Sequence, residues 1–173
     1  EQKRLERLRR VFQSQPCPSL PLSLEEQAGR IVRISKDSVL LSVGDKGFHY
    51  VGDNGHILEI RLRDGSASVF ASGTRNPQGL FVDEELGLVL ETEHGPRGGD
   101  ETNAMRPGID SGWPKVTYGT NYTVVDDASV QDTCLTKCGD HTGYELPLFA
   151  FVPSIGISNL IRYPSTGAEF HRW

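Results

Sequence analysis

The sequence has no long apolar run and no excess of basic residues, and each absence excludes a class of protein. No stretch approaches the roughly 18 apolar residues that a membrane helix needs, so we expect no membrane span. Lysine and arginine total 18 against 23 aspartates and glutamates, a net charge of −5. This balance argues against binding to nucleic acid. Residue 1 is Glu rather than Met and no signal peptide is readable, so we expect a processed, trimmed or fragmentary chain.

Helix-forming sequence is scarce as well. Glycine (19) and proline (10) make up 29 of the 173 residues, which excludes a bundle of long helices. Residues 1–19 form an N-terminal segment. Within it, residues 1–15 carry apolar side chains at helical spacing and predict a short amphipathic helix or an outer strand. Pro16 and Pro18 end any such helix.

From residue 29 onward the apolar residues occur in short runs that predict β-strands. Leu58, Ile60 and Leu62 alternate with charged residues, which predicts a strand with one solvent-exposed face. The Asp64-Gly65 pair that follows is a strong hairpin signal. The other predicted strands are 29–34, 39–43, 68–71, 80–82 and 88–90.

The strand pattern repeats after 50 residues, because Gly29, Ile31 and Val32 correspond to Gly79, Phe81 and Val82. A two-hairpin unit of about 50 residues is typical of a β-propeller blade. We therefore predict an all-β protein in which residues 20–173 form a partial β-propeller, with blade units starting near 29, 79 and 158. This amounts to about two and a half to three blades. Since propellers close with about four to eight blades, this chain cannot close a ring alone.

The three cysteines leave two interpretations open. Cys134 and Cys138 lie in a polar segment near His141, and Cys17 lies far away in the sequence. A local disulfide or free thiols fit this spacing, while three metal ligands at most make a metal site the less favoured alternative.

Two polar loops contain the candidate functional residues. Residues 73–79 (GTRNPQG) precede one predicted strand, and residues 93–101 (EHGPRGGDE) follow the next. We expect both to lie at the same end of their hairpin. Arg75 offers paired donors for a carboxylate, and carbonyls with carboxylates in the second loop suit a hard cation such as calcium. Together they predict a site for an anionic ligand beside calcium, although both loops could instead be ordinary polar turns.

These blocks, GTRNPQGL (73–80), ETEHGPRGGDETNAMRPG (91–108) and GWPKVTYGTNY (112–122), resemble the soluble glucose/sorbosone dehydrogenase family. The resemblance extends from about residue 20 to the end. It implies a six-bladed propeller, with pyrroloquinoline quinone (PQQ) in its central pocket, that oxidises an aldose by hydride transfer to the quinone. It also implies a periplasmic or secreted protein.

The resemblance also implies roles for individual residues. Arg75 would pair with a PQQ carboxylate, and Asn76, Gln78 and His94 would lie beside the cofactor. The Gly95 and Pro96 carbonyls would hold the calcium that polarises the quinone. Asp100 and Glu101 would support that loop or contribute to a second calcium site, together with the Thr120 and Tyr122 carbonyls.

One residue departs from the family pattern. The family's catalytic base is a histidine four residues before the arginine of the Gly29-Arg30 block, and here that position is Glu26. A buried glutamate can act as a general base if its pKa is suitable. The alternatives are a catalytically inactive propeller that binds a carbohydrate or a protein, and a calcium-dependent lactonase-like hydrolase. The remaining blades would come from a longer parent chain or from a second copy in a homodimer.

Overall fold

The strands assemble into two four-stranded antiparallel sheets. A computed structural model describes residues 9–14, 27–45, 52–120, 137–138 and 140–163. The first sheet has the order β1 (Ala28–Arg33), β2 (Ser38–Val43), β3 (His56–Arg61) and β4 (Ala67–Ser72). In the second sheet, β5 (Pro77–Asp83), β6 (Leu88–Glu93) and β7 (Asp100–Met105) are followed by β10 (Phe149–Phe151) at the edge. A short parallel pair joins β8 (Val116–Thr117) to β9 (Lys137–Cys138).

Each sheet is one propeller blade, and the 50-residue repeat appears as matching strand pairs. The β1–β2 hairpin and the β5–β6 hairpin both have four-residue connections, and β1 contacts β5 at the start of the next sheet. The prediction of an all-β, partial β-propeller is therefore confirmed. The third predicted unit would start near residue 158, where the described residues 158–163 form no strand and the rest lies outside the description. The domain boundaries stay predictions.

The core lies between the two sheets. It is formed by seven buried side chains contributed by both sheets: Leu40, Ile57, Phe70, Ala71, Leu80, Val89 and Met105. Leu40 on β2 and Val89 on β6 contribute to this core, although the other buried positions of the two strands are mostly polar, among them Ser42 and Glu91. The short apolar runs 39–43 and 88–90, from which these strands were predicted, therefore supply one core side chain each.

The predicted alternation on β3 is confirmed, because Leu58 and Ile60 are buried while Glu59 is half-buried and Arg61 is exposed. Two other sequence expectations need correction. Residues 9–14 form neither the expected helix nor a strand, and lie against the β3–β4 turn through a hydrogen bond from the Arg9 guanidinium to the Leu62 carbonyl. Asp100 and Glu101 are not loop residues but open β7.

The described part of the chain contains no helix with the length and apolarity that crossing a membrane requires.

Replacing Leu40 by alanine tests the core between the sheets. Leu40 is fully buried, so Leu40→Ala should lower the free energy of unfolding by about 2–5 kcal/mol through lost apolar contact and the resulting cavity. Denaturant unfolding followed by circular dichroism measures this. Leu86→Ala is the control, because Leu86 is 64% exposed in the β5–β6 turn. Equal losses in the two variants would contradict this assignment of the core.

Candidate cofactor-binding site

The two polar loops meet at one end of the second sheet. Pro77 at the start of β5 pairs with Glu93 at the end of β6, so the loop entering one strand lies beside the loop leaving the other. The His94 amide donates to the Asn76 carbonyl at 3.1 Å and joins the loops directly. The expectation that both loops lie at the same end of their hairpin is confirmed.

Arg75 is held at the centre of this end. One guanidinium nitrogen donates to the Gly95 carbonyl at 2.9 Å and to the His94 carbonyl at 3.2 Å. The guanidinium also lies 5.4 Å from the centroid of the Trp113 ring, in cation–π geometry. Arg75 is 9% exposed, so its cation is held largely out of water, next to the loop that the sequence predicts to bind a metal.

The predicted polar contacts Asn76, Gln78 and His94 lie in the same two loops as Arg75 and Gly95. The Gln78 side-chain amide donates to the Asn76 side-chain oxygen at 2.7 Å. His94 extends from the end of β6, and its Nε2 lies 2.5 Å from the Ile157 carbonyl oxygen. The fold therefore brings Arg75, Asn76, Gln78 and His94 to one end of the sheet, although it does not by itself assign them a ligand.

The Gly95–Gly99 loop folds back on itself, and its glycines are required for this. A Cβ atom on Gly95 would lie 1.7 Å from the Gly99 carbonyl oxygen, and one on Gly99 would lie 2.2 Å from the Gly119 nitrogen. The Gly99 amide donates to the Pro96 carbonyl at 3.1 Å. Both predicted metal-binding carbonyls thus accept a hydrogen bond from the chain, and a carbonyl oxygen keeps a second lone pair for another partner.

Three buried glutamates lie beneath these loops on β6 and β7. Glu93 opposes Glu101 across the two strands, and Glu91 opposes Asn103. The Asn103 amide donates to Glu91 at 3.0 Å and to Glu93 at 3.4 Å. Glu93 in turn accepts the backbone amides of Arg75 and Asn76 and so anchors the first loop.

Burial sets the protonation of this cluster. Loss of solvation raises the pKa of Glu93 to about 7, against the lowering effect of the Arg75 and Asn76 amides. Burial, followed by the charge of Glu93, raises the pKa of Glu101 to about 8. Burial, again followed by the Glu93 charge, raises the pKa of Glu91 well above its usual value. The cluster therefore retains protons near neutral pH.

A cavity of about 10 Å³ lies between the loops and the acids, with room for about one water-sized occupant. The residues that line it include Glu93, Gly95, Pro96, Glu101 and Ser111. In the described ranges no group of three histidine, cysteine, aspartate or glutamate side chains is arranged to hold a metal. A cation here would depend on backbone carbonyls, and hard oxygen donors of this kind fit calcium.

The other predicted site residues are placed differently. Asp100 is 2% exposed, and one of its carboxylate oxygens accepts three backbone amides from residues 155–157. Thr120 adjoins the second loop through bonds from its amide and hydroxyl to the Arg97 carbonyl. Glu26 and Tyr122 lie outside the described residues, as do Cys17, Cys134 and the side chain of Cys138, so those predictions are untested.

Several residues of this site were not found from the sequence. Asp45 accepts the Trp113 indole N–H at 2.8 Å, and its own amide donates to the Arg75 carbonyl at 2.7 Å. Glu91 and Asn103 complete the acidic cluster. Alternating polar residues on β6 and β7 were the available signal, but such a pattern is equally typical of a solvated face.

Comparison with known proteins identifies relatives of this chain. The family model for glucose/sorbosone dehydrogenase matches residues 1–173. The aldose sugar dehydrogenase YliI of Escherichia coli is 31% identical over 150 residues, 87% of this chain and 35% of that protein. Quinoprotein glucose dehydrogenase B of Acinetobacter calcoaceticus is 27% identical over 157 residues, 65% of this chain and 32% of that protein.

The solved structures agree with the sequence relatives. The crystal structure of the soluble aldose sugar dehydrogenase from Escherichia coli superposes with a TM-score of 0.68 at 26% identity, covering 87% of this chain and 46% of that one. The chain therefore spans about a third of the curated relatives and about half of this solved one.

The acidic cluster predicts an unusual dependence of stability on pH. The folded state holds protons that the unfolded chain releases near pH 4.5, so the free energy of unfolding should fall as the pH rises from about 5 to 8. The slope is on the order of 1 kcal/mol per pH unit for each proton. Glu91→Gln should flatten this slope while changing stability at pH 5 by less than about 1 kcal/mol, because glutamine resembles protonated glutamate.

Denaturant unfolding at pH 5, 6, 7 and 8 measures the effect. Glu84→Gln is the matched control, because Glu84 is exposed in the β5–β6 turn. A wild-type slope that Glu91→Gln leaves unchanged would show that Glu91 holds no proton in the folded state.

Proposed function

The chain belongs to the glucose/sorbosone dehydrogenase family, and on that premise we propose that it forms part of a PQQ- and calcium-dependent dehydrogenase that oxidises an aldose. Family membership supports the coarse assignment as a sugar dehydrogenase and an oxidoreductase. The cofactor, the metal and the individual residue roles are the finer part of the proposal.

The observation that best supports the proposal is the buried guanidinium of Arg75. A cation that is 9% exposed and held by two carbonyls and an aromatic face is well placed to receive a carboxylate, because part of its desolvation cost is already met in the free protein. PQQ carries carboxylates. The side-chain amides of Asn76 and Gln78 are neutral and can bind its remaining oxygens.

The oxygen donors of the second loop fit the metal. The Gly95 and Pro96 carbonyls would hold calcium, with Glu93 and Glu101 lining the same cavity beneath them. Arg75 donates to the Gly95 carbonyl in this structure, so a cation binding there would repel the guanidinium and favour its pairing with an anionic ligand. When bound, PQQ would supply a hydride acceptor, and calcium held by the Gly95 and Pro96 carbonyls would supply a Lewis acid.

The buried acids have a supporting role in this proposal. Glu93 fixes the backbone amides of Arg75 and Asn76, which sets the position of the first loop. Because burial raises the pKa values of Glu93 and Glu101, these side chains carry less negative charge at neutral pH and repel an anionic ligand less. Glu26, at the position of the family's histidine, would take the hydroxyl proton of the sugar.

Glu26 also supports the alternative function. A carboxylate beside an anionic quinone is unfavourable, so a propeller that binds a carbohydrate or a protein without oxidising it is the second candidate. For either function we propose a periplasmic or secreted location. The remaining blades would come from a longer parent chain or from a second copy. Among the described residues, Leu148, Phe149 and Val152 are exposed apolar side chains in or next to the edge strand β10.

Titration of the protein with PQQ, with and without calcium, tests the proposal. We expect calcium-dependent binding, followed by bleaching of the quinone absorbance when an aldose is added. Binding without reduction would support the inactive alternative. An absence of binding in the protein with all its blades would exclude the PQQ-dependent function.

Arg75→Ala should weaken PQQ binding by roughly 1.5–3 kcal/mol, the usual contribution of a hydrogen bond to a charged group. Calorimetry or absorbance titration measures the dissociation constant. Arg106→Ala is the control, because Arg106 follows the far end of β7 and forms an exposed ion pair with Glu145. Unchanged affinity in Arg75→Ala would contradict the pairing of Arg75 with the cofactor.

A further inference from the structure

An extended segment, residues 155–162, crosses the second sheet beside the candidate site, and we refer to it as the strap. It forms no strand, yet it is attached along its length. The Thr92 hydroxyl donates to the Ser158 carbonyl at 3.0 Å. Gly79, opposite Thr92, permits the close approach, since a Cβ there would lie 3.0 Å from the Ser158 oxygen. At the far end, Arg162 pairs with Asp83 at 3.2 Å and with Glu85 at 2.6 Å.

Asp100 holds the near end of the strap. A single carboxylate oxygen accepts the consecutive amides of Ile155, Gly156 and Ile157 at 3.1, 2.7 and 3.1 Å. Hydrogen bonds from amides to a carboxylate are stronger than those between neutral groups. Asp100 is 2% exposed, so its carboxylate is shielded from solvent. It is also the first residue of β7, so its backbone is held by the sheet.

The strap in turn contacts His94. The His94 Nε2 lies 2.5 Å from the Ile157 carbonyl, and since a carbonyl oxygen only accepts, Nε2 carries the hydrogen. The same residue links the two loops of the site, because its amide donates to the Asn76 carbonyl and its carbonyl accepts from Arg75. A continuous set of contacts therefore runs from Asp100 through the strap to His94 and Arg75.

We propose that Asp100 is a positioning residue that fixes the strap and, through the Ile157 carbonyl, holds the His94 imidazole with its hydrogen on Nε2. The importance of this arrangement for cofactor binding rests on the proposed function. The arrangement itself does not, because every contact in it lies within the chain. Ile157 contributes only its carbonyl, so the proposal concerns the Asp100 carboxylate rather than the side chains of the strap.

The test compares Asp100→Ala and Asp100→Asn with the wild type in the intact protein, first without any cofactor. Nitrogen-15 NMR of labelled histidine reports which ring nitrogen of His94 carries the hydrogen, and amide exchange reports the protection of residues 155–157. In Asp100→Ala we expect loss of the single Nε2–H tautomer and amide exchange faster by about tenfold or more. Asp100→Asn keeps one acceptor oxygen and should recover part of the protection and the wild-type tautomer.

Asp83→Asn is the matched control. It weakens the attachment of the strap at Arg162 while leaving the Asp100 contacts in place, so the His94 signal and the amides of 155–157 should not change. If Asp100→Ala does not fold, Asp100→Asn alone still decides, since faster exchange at 155–157 supports the proposal and wild-type exchange overturns it. An unchanged His94 tautomer in a folded Asp100→Ala also overturns it.

PQQ titration of the same variants separates the two proposals. A His94 signal that changes in Asp100→Ala, in a protein that binds no PQQ, would support the positioning role and refute the proposed function. PQQ binding by the wild type, with the His94 signal and affinity both unchanged in Asp100→Ala, would support the function and refute the positioning role. We expect a changed His94 signal together with an increase of about tenfold in the PQQ dissociation constant.

Discussion

The carboxylate of Glu93 connects the parts of the candidate site. It ends β6, and it accepts the backbone amides of Arg75 and Asn76 from the loop that enters β5. The two polar loops are therefore tied to one another from below, by a buried group that water does not reach. This contact fixes the backbone of Arg75, whose guanidinium donates to the Gly95 carbonyl of the second loop.

Burial of acidic side chains is costly, and the rest of the structure shows how the cost is limited. At the opposite end of β6 and β7, Val89 and Met105 pack into the apolar core between the sheets. Near the loops the same strands carry Glu91, Glu93 and Glu101, whose raised pKa values show that protonation replaces full ionisation. One end of the blade thus stabilises the fold through apolar contact. The other end holds buried polar groups that are joined by hydrogen bonds.

Sequence patterns predicted strands that contain apolar runs and missed those whose burial follows polar contacts. β2 and β6 were predicted from the apolar runs 39–43 and 88–90, although their buried positions also include Ser42 and Glu91. β7 was missed because its buried positions include Asp100, Glu101 and Asn103, residues that usually indicate a solvated turn. β10 was missed as well, since it joins its sheet more than forty residues after β7 ends.

The sequence by itself determined the all-β class, the repeated hairpin unit, the meeting of the two polar loops and the family resemblance, because each of these depends on local periodicity or on contiguous motifs. Only the tertiary structure decided which polar residues are buried and what they contact. Arg75 binds carbonyls about 20 positions away, and Asp100 binds amides about 56 positions away. Those partners, and the loss of solvation that raises the pKa values of the glutamates, exist only once the sheets have packed and the strap has crossed them.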